Sequence, residues 1–242
     1  MDPIWWILII SVAGPILGSA IGVLAPSSKL LMYNMLSFAA GVMIAISFLE
    51  LIPHAINVSS VMIAVLGIVL GSAVMYLLDR ILPHIHPGLC TQEQGCHLKK
   101  TAIYLLVGIF IHNFPEGMAI AAGIVEGTKL SMMIAIAIAV QNVPEGICTS
   151  APYYACTKKK LKSFLVSSST AIPILAGFLI TKFIFEQISP ALMGMLVAAT
   201  AGVMIYISAD ELIPTSCSIN SNHSTIFSFM IGILFVVMLG LI

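Results

Sequence analysis

The sequence predicts an all-α polytopic membrane protein of eight transmembrane helices, and three observations carry that reading: an apolar composition, apolar runs of bilayer length, and an internal repeat. Of 242 residues, 60% are hydrophobic and 8% charged, whereas an ordinary soluble domain is about 25% charged. With a formal net charge of zero and both signs scarce, the chain offers no basic face to nucleic acid and no acidic face to a cationic protein. The partner that this composition requires is the lipid bilayer. Met1-Asp2-Pro3 leads directly into Ile4-Trp5-Trp6, with neither the basic region nor the small-residue cleavage site of a secretory signal. The first apolar run is therefore expected to be a retained span.

A helix crossing the hydrocarbon needs about 20 predominantly apolar residues. With Gly, Pro and polar clusters as punctuation, spans are expected near 4–24, 31–53, 59–79, 101–124, 130–154, 164–185, 190–213 and 225–242. Backbone groups find no water in that layer, so each span should be helical. Together they form one transmembrane domain, 1–242. The only long connection, 80–100, reads as a cytoplasmic loop holding His84, His86, Cys90, Cys96 and His97. Their spacing matches no closed zinc motif, which leaves a loose metal-collecting segment or a plain connection.

Short cytoplasmic loops carry the excess of basic residues. Lys29, Arg80, Lys99, Lys100, Lys158, Lys159, Lys160 and Lys162 fall on one side of the predicted bundle, against Lys129 and Lys182 on the other. Both termini are thereby expected outside, in a plasma (inner) membrane. Four of the five cysteines, Cys90, Cys96, Cys156 and Cys217, then lie on or near the cytoplasmic side, where a disulfide framework is not expected.

The segment Gly41–Pro53 recurs at Gly202–Pro214 with ten of thirteen positions identical, Ser, Glu and Pro among them. By the charge rule the second span runs outward and the seventh inward, so one motif faces opposite sides of the membrane. This is the signature of an inverted repeat: helices 1–3 and 6–8 related by a pseudo-twofold axis around helices 4 and 5, a 3+2+3 arrangement. It would put an outer mouth near Glu50 and an inner mouth near Asp210 and Glu211.

The chemistry concentrates in two related stretches, His112-Asn113-Phe114-Pro115-Glu116-Gly117 and Gln141-Asn142-Val143-Pro144-Glu145-Gly146. Ionisable and amide side chains inside an apolar span are expensive and usually functional. Residues four apart share a helical face, so His112 pairs with Glu116, and Gln141 with Glu145. Antiparallel neighbours joined by a short turn near Glu126–Lys129 would bring the four groups together. Counting about 1.5 Å per residue from residue 101, His112 lies about 16 Å into a hydrocarbon core about 30 Å thick. Pro115 and Pro144 each remove an amide and free a carbonyl, those of Ile111 and Val140. Gly117 and Gly146 permit close helix approach.

Imidazole, carboxylate and carboxamide together suit borderline divalent metals such as zinc, iron, manganese or cadmium. Asn113 and Asn142 point about 100° away from their neighbours, either to a second metal position or to a freed carbonyl. Met43, Ser47, Glu50, Asp210 and Glu211 are weaker pathway candidates, since Met is commonly core filler and the acids lie near helix ends.

On these residues the sequence resembles the ZIP (Zrt/Irt-like protein) family of divalent-metal transporters, particularly its compact bacterial branch. The likeness spans essentially the whole chain: eight spans, outside termini, a His-bearing loop between helices 3 and 4, and the paired motifs. The resemblance implies that His112, Asn113, Glu116, Gln141, Asn142 and Glu145 build a metal site, often binuclear in the family. It also implies import toward the cytoplasm and a homodimer, a form frequent in the family. Two departures stand out. Ile172 precedes Pro173 where many members carry Glu as an additional ligand, and Gln141 stands where many eukaryotic members have His.

The expected function is therefore divalent-metal transport, with metal as cargo and no catalytic cofactor. No Walker sequence is present, so no nucleotide is expected to drive it. The first rival is an intramembrane metal-dependent hydrolase, because bound metal can activate water; against it, the chain lacks H-E-x-x-H. The second is a metal-sensing or purely structural membrane protein, which would bind metal without moving it.

Overall fold

In so apolar a chain, backbone amides are satisfied most readily within helices, and every regular element among the described residues is helical. The computed structural model describes residues 3–25, 28–81, 97–185, 189–217 and 223–241. The helices are α1 (Pro3–Leu24), α2 (Lys29–Ile46), α3 (Ile52–Val58), α4 (Val61–Ile81), α5 (His97–Glu126), α6 (Thr128–Thr157), α7 (Lys160–Ser168), α8 (Ala171–Phe185), α9 (Pro190–Ile207), α10 (Ile213–Cys217) and α11 (Ser224–Gly240). Among the described residues seven helical stretches are long and apolar enough to cross a bilayer, and the apolar Ser224–Gly240 is a shorter eighth. The chain is a multi-pass membrane protein. His84, His86, Cys90 and Cys96 of the predicted loop lie outside the described residues.

The recurring thirteen-residue segment folds the same way twice. Between α2 and α3, Ser47–Leu51 forms one π-helical turn, and between α9 and α10, Ser208–Leu212 forms another. Proline explains both. Pro53 and Pro214 bring no amide hydrogen and would press their rings on the carbonyl four residues back. The chain widens just before each, so that the Ile52 amide bonds to the Ser47 carbonyl and the Ile213 amide to that of Ser208. The Ser47 and Ser208 hydroxyls donate to the carbonyls of Met43 and Met204, both at 2.8 Å.

The sixth span differs from the single helix expected over 164–185. It is two helices, α7 and α8, meeting at Ser169–Thr170. Pro173 is again the cause, since its ring would crowd the carbonyl of Ser169. The chain tightens there, the Thr170 amide bonding to Ser167 and that of Ile172 to Ser169.

α5 and α6 run side by side, linked by Gly127 alone at φ 135°, a conformation that favours glycine. α1 packs chiefly on α6, α5 on α8, α4 on α9 and α2 on α11, while α2 also touches α6 and α9 touches α5. Gly146 meets Pro15–Ser19 of α1, and Gly117 meets Ile174 of α8, so the glycine closing each paired motif seats a neighbouring backbone.

At Gly18, an added Cβ would collide with the backbone of Val143 rather than with a movable side chain. Gly18→Val should therefore cost about 1–3 kcal/mol, the range for overpacking, read as a lower unfolding midpoint of purified protein in detergent. Wild-type stability in that variant would show that α1 and α6 do not meet at this point.

Candidate metal centre

His112 lies midway along the 30-residue α5, and Gln141 and Asn142 midway along the 30-residue α6. Both helices remain continuous through Pro115 and Pro144. Because the helices are adjacent, these midpoints coincide. Asn113, Glu116, Gln141 and Asn142 are fully buried, and His112 and Glu145 are 3% exposed. One ligand atom each from His112, Glu116 and Glu145 lies within 4.8 Å of the others.

The hydrogen bonds within the cluster cross from one helix to the other. Gln141 Nε2 and Asn142 Nδ2 of α6 donate to the two oxygens of Glu116 on α5, at 2.6 and 2.8 Å. In return, His112 Nε2 on α5 meets Glu145 Oε2 on α6 at 3.2 Å. The third amide turns elsewhere, Asn113 Nδ2 donating to the Thr170 carbonyl at the α7–α8 break, 2.7 Å away. The two asparagines thus divide: Asn142 joins the cluster, and Asn113 ties α5 to the interrupted sixth span.

With these donors engaged, Asn113 Oδ1, Gln141 Oε1, Asn142 Oδ1, Glu145 Oε1 and His112 Nδ1 are buried without a hydrogen-bond partner. Each buried unsatisfied group costs about 1–3 kcal/mol, and two carboxylates in a dry interior repel. The oxygens among these atoms can only accept, and a divalent cation satisfies such acceptors while offsetting the repulsion. The donor set of nitrogen and oxygen, without a thiolate, suits a borderline metal.

The remaining candidates lie on other elements. Met43 is core, and the Ser47 hydroxyl is engaged with its carbonyl. Glu50 is half-buried, Asp210 exposed and Glu211 half-buried, all within the π-helical turns. Ile172 is 57% exposed and adds no ligand.

Sequence reasoning passed over Ser19, Thr149, Ser167 and Thr170, which surround the backbone of the site. The signal was faint: Thr149 follows Glu145 by four positions and so stands on its face.

Fold and cluster together define an integral membrane protein with a buried, acceptor-rich polar cluster at mid-span. The family model described as ZIP Zinc transporter matches residues 83–240. Zinc transporter ZupT of Salmonella paratyphi A is 39% identical over 230 residues, 91% of this chain and 89% of that protein. Zinc transporter ZupT of Escherichia coli O127:H6 is 39% identical over 234 residues, 93% and 90% of the two chains. The chain belongs to the ZIP family. That is a family of transporters, which sets the hydrolase reading aside.

Proposed function

We propose that this protein carries divalent metal cations, zinc foremost with iron, manganese and cadmium as further cargo, across the inner membrane into the cytoplasm. The metal would be held by His112, Glu116, Gln141 and Glu145, with Asn113 and Asn142 beside them. One observation carries the proposal: five polar side chains, two of them carboxylates, meet at the midpoints of two bilayer-spanning helices with three acceptor oxygens left unbonded. That both of these relatives are zinc transporters supports zinc as the cargo. Radioactive zinc flux into proteoliposomes tests it, with iron, manganese and cadmium as competitors. Binding without flux would overturn the transport reading.

The proposal includes the 3+2+3 inverted repeat with both termini outside. Its support is a pattern of exchange. Swapping α1 with α7–α8, α2–α3 with α9–α10, α4 with α11 and α5 with α6 turns the α1–α6 contact into α8–α5, the α4–α9 contact into α11–α2, and the α2–α6 contact into α9–α5, all of which occur. On that axis Glu50 marks the outer mouth, and Asp210 with Glu211 the inner one. Ile172 leaves a second metal position without its carboxylate, so one strong site is expected per chain. A homodimer follows from the family resemblance and is open to mass measurement in detergent.

Deleting residues 84–97 should reduce zinc uptake without abolishing it, as measured in the same vesicles. Complete loss would make the loop part of the conduit.

A further inference from the structure

Around the backbone of Glu145 and Gly146 lies a set of buried hydroxyls that binding and transport, as described, leave unused. Ser167, near the end of α7, is its centre. Its Oγ lies 3.2 Å from the Gly146 carbonyl and 2.7 Å from Ser19 Oγ of α1, and is in short contact with Thr149 Oγ1 of α6. Thr149 Oγ1 in turn lies 3.0 Å from the carbonyl of Glu145 and 3.1 Å from that of Gly146. Ser19, Ser167 and Thr149 are each buried.

Each hydroxyl has one proton to donate. The close pair of Thr149 and Ser167 needs a proton between them. If Ser167 donates to Gly146, it accepts from Ser19 and Thr149; if it donates to Thr149, then Thr149 donates to the carbonyls of Glu145 or Gly146; and if Ser19 donates instead to the Pro15 carbonyl, 2.6 Å away, Ser167 donates to Ser19 and accepts from Thr149. In each arrangement Ser167 Oγ touches Ser19 of α1 and both Thr149 and Gly146 of α6. Three residues on, the Thr170 carbonyl accepts Asn113 of α5, and the Thr170 hydroxyl donates to the Ser167 carbonyl at 2.9 Å. One short segment at the interruption of the sixth span therefore grips both helices that bear the cluster.

We infer that Ser167 is a positioning residue for the metal site: through Thr149 and Gly146 it fixes the height and rotation of Glu145 relative to His112 and Glu116. This rests on the proposed transport role of the cluster. A metal bound by rigid side chains discriminates by size, and loss of an outer partner typically lowers metal affinity about 10–100-fold. A hydroxyl that merely joined helices would alter stability instead.

Zinc uptake by the wild type, Ser167→Ala, Ser167→Thr and Glu145→Ala in proteoliposomes, with cadmium as competitor, separates the cases. Ser167→Ala is expected to raise KM for zinc about tenfold or more and to shift the zinc-to-cadmium preference, with maximal rate and melting point little changed. Ser167→Thr, which keeps the hydroxyl, should restore both readouts. Wild-type KM and preference in Ser167→Ala, alongside active wild type and inactive Glu145→Ala, would overturn the positioning role and leave the transport reading intact. Inactive wild type, or Glu145→Ala as active as wild type, would overturn the transport reading and the positioning role with it.

Discussion

Glu116→Ala should lower zinc flux by at least about 100-fold, beyond the 10–100-fold that loss of an outer partner brings, with the protein still inserted and monodisperse. The substitution removes two metal-ligand oxygens and also strands two buried donors, because Gln141 Nε2 and Asn142 Nδ2 both bond to this carboxylate. Each donor then carries a desolvation cost of about 1–3 kcal/mol. Glu145→Ala should also abolish flux, but it strands only one bond, that of His112. It should therefore unfold at a higher temperature than Glu116→Ala. Substantial flux in either variant would remove that residue from the site.

The second expectation concerns the driving force. A divalent cation moving inward through an inside-negative potential of 100 mV gains roughly 4.6 kcal/mol, twice the ~2.3 kcal/mol of a single charge. That corresponds to an equilibrium ratio of more than about a thousandfold. Zinc accumulation in vesicles polarised with potassium and valinomycin should rise steeply with the imposed potential and collapse when it is dissipated. Accumulation indifferent to potential would mean electroneutral exchange and would require a counter-ion that the site does not suggest.

How far the sequence could be read follows from the price of polarity in lipid. The spans were legible because a bilayer fixes their length, and the neighbourhood of His112, Glu116, Gln141 and Glu145 because such groups stand out in apolar helices. The twin prolines Pro53 and Pro214 were visible as a repeat. Their consequence was not, since a helix can meet a proline by bending, breaking or widening; here it widens at Ser47–Leu51 and Ser208–Leu212 and breaks before Pro173. Which amide would reach which carboxylate was equally hidden, because crossing bonds depend on the relative rotation of α5 and α6. The hydroxyls of Ser19, Thr149 and Ser167 were least legible. A Ser or Thr in an apolar helix ordinarily bonds to its own preceding carbonyl, and only the packing of α1, α6 and α7 brings these three together.

The single-residue link at Gly127 makes the α5–α6 hairpin a ruler with no slack. His112 and Gln141 sit at nearly equal chain distances from that turn, so equal arms bring them to the same depth without any help from the rest of the bundle. Inserting one residue between Gly127 and Gln141 would raise the α6 half by about 1.5 Å and rotate it by about 100°, carrying Gln141 and Glu145 off the shared face together. Arm length on either side of the turn is thus set by the geometry of the site, and insertions should be tolerated in the connections outside this hairpin rather than within it.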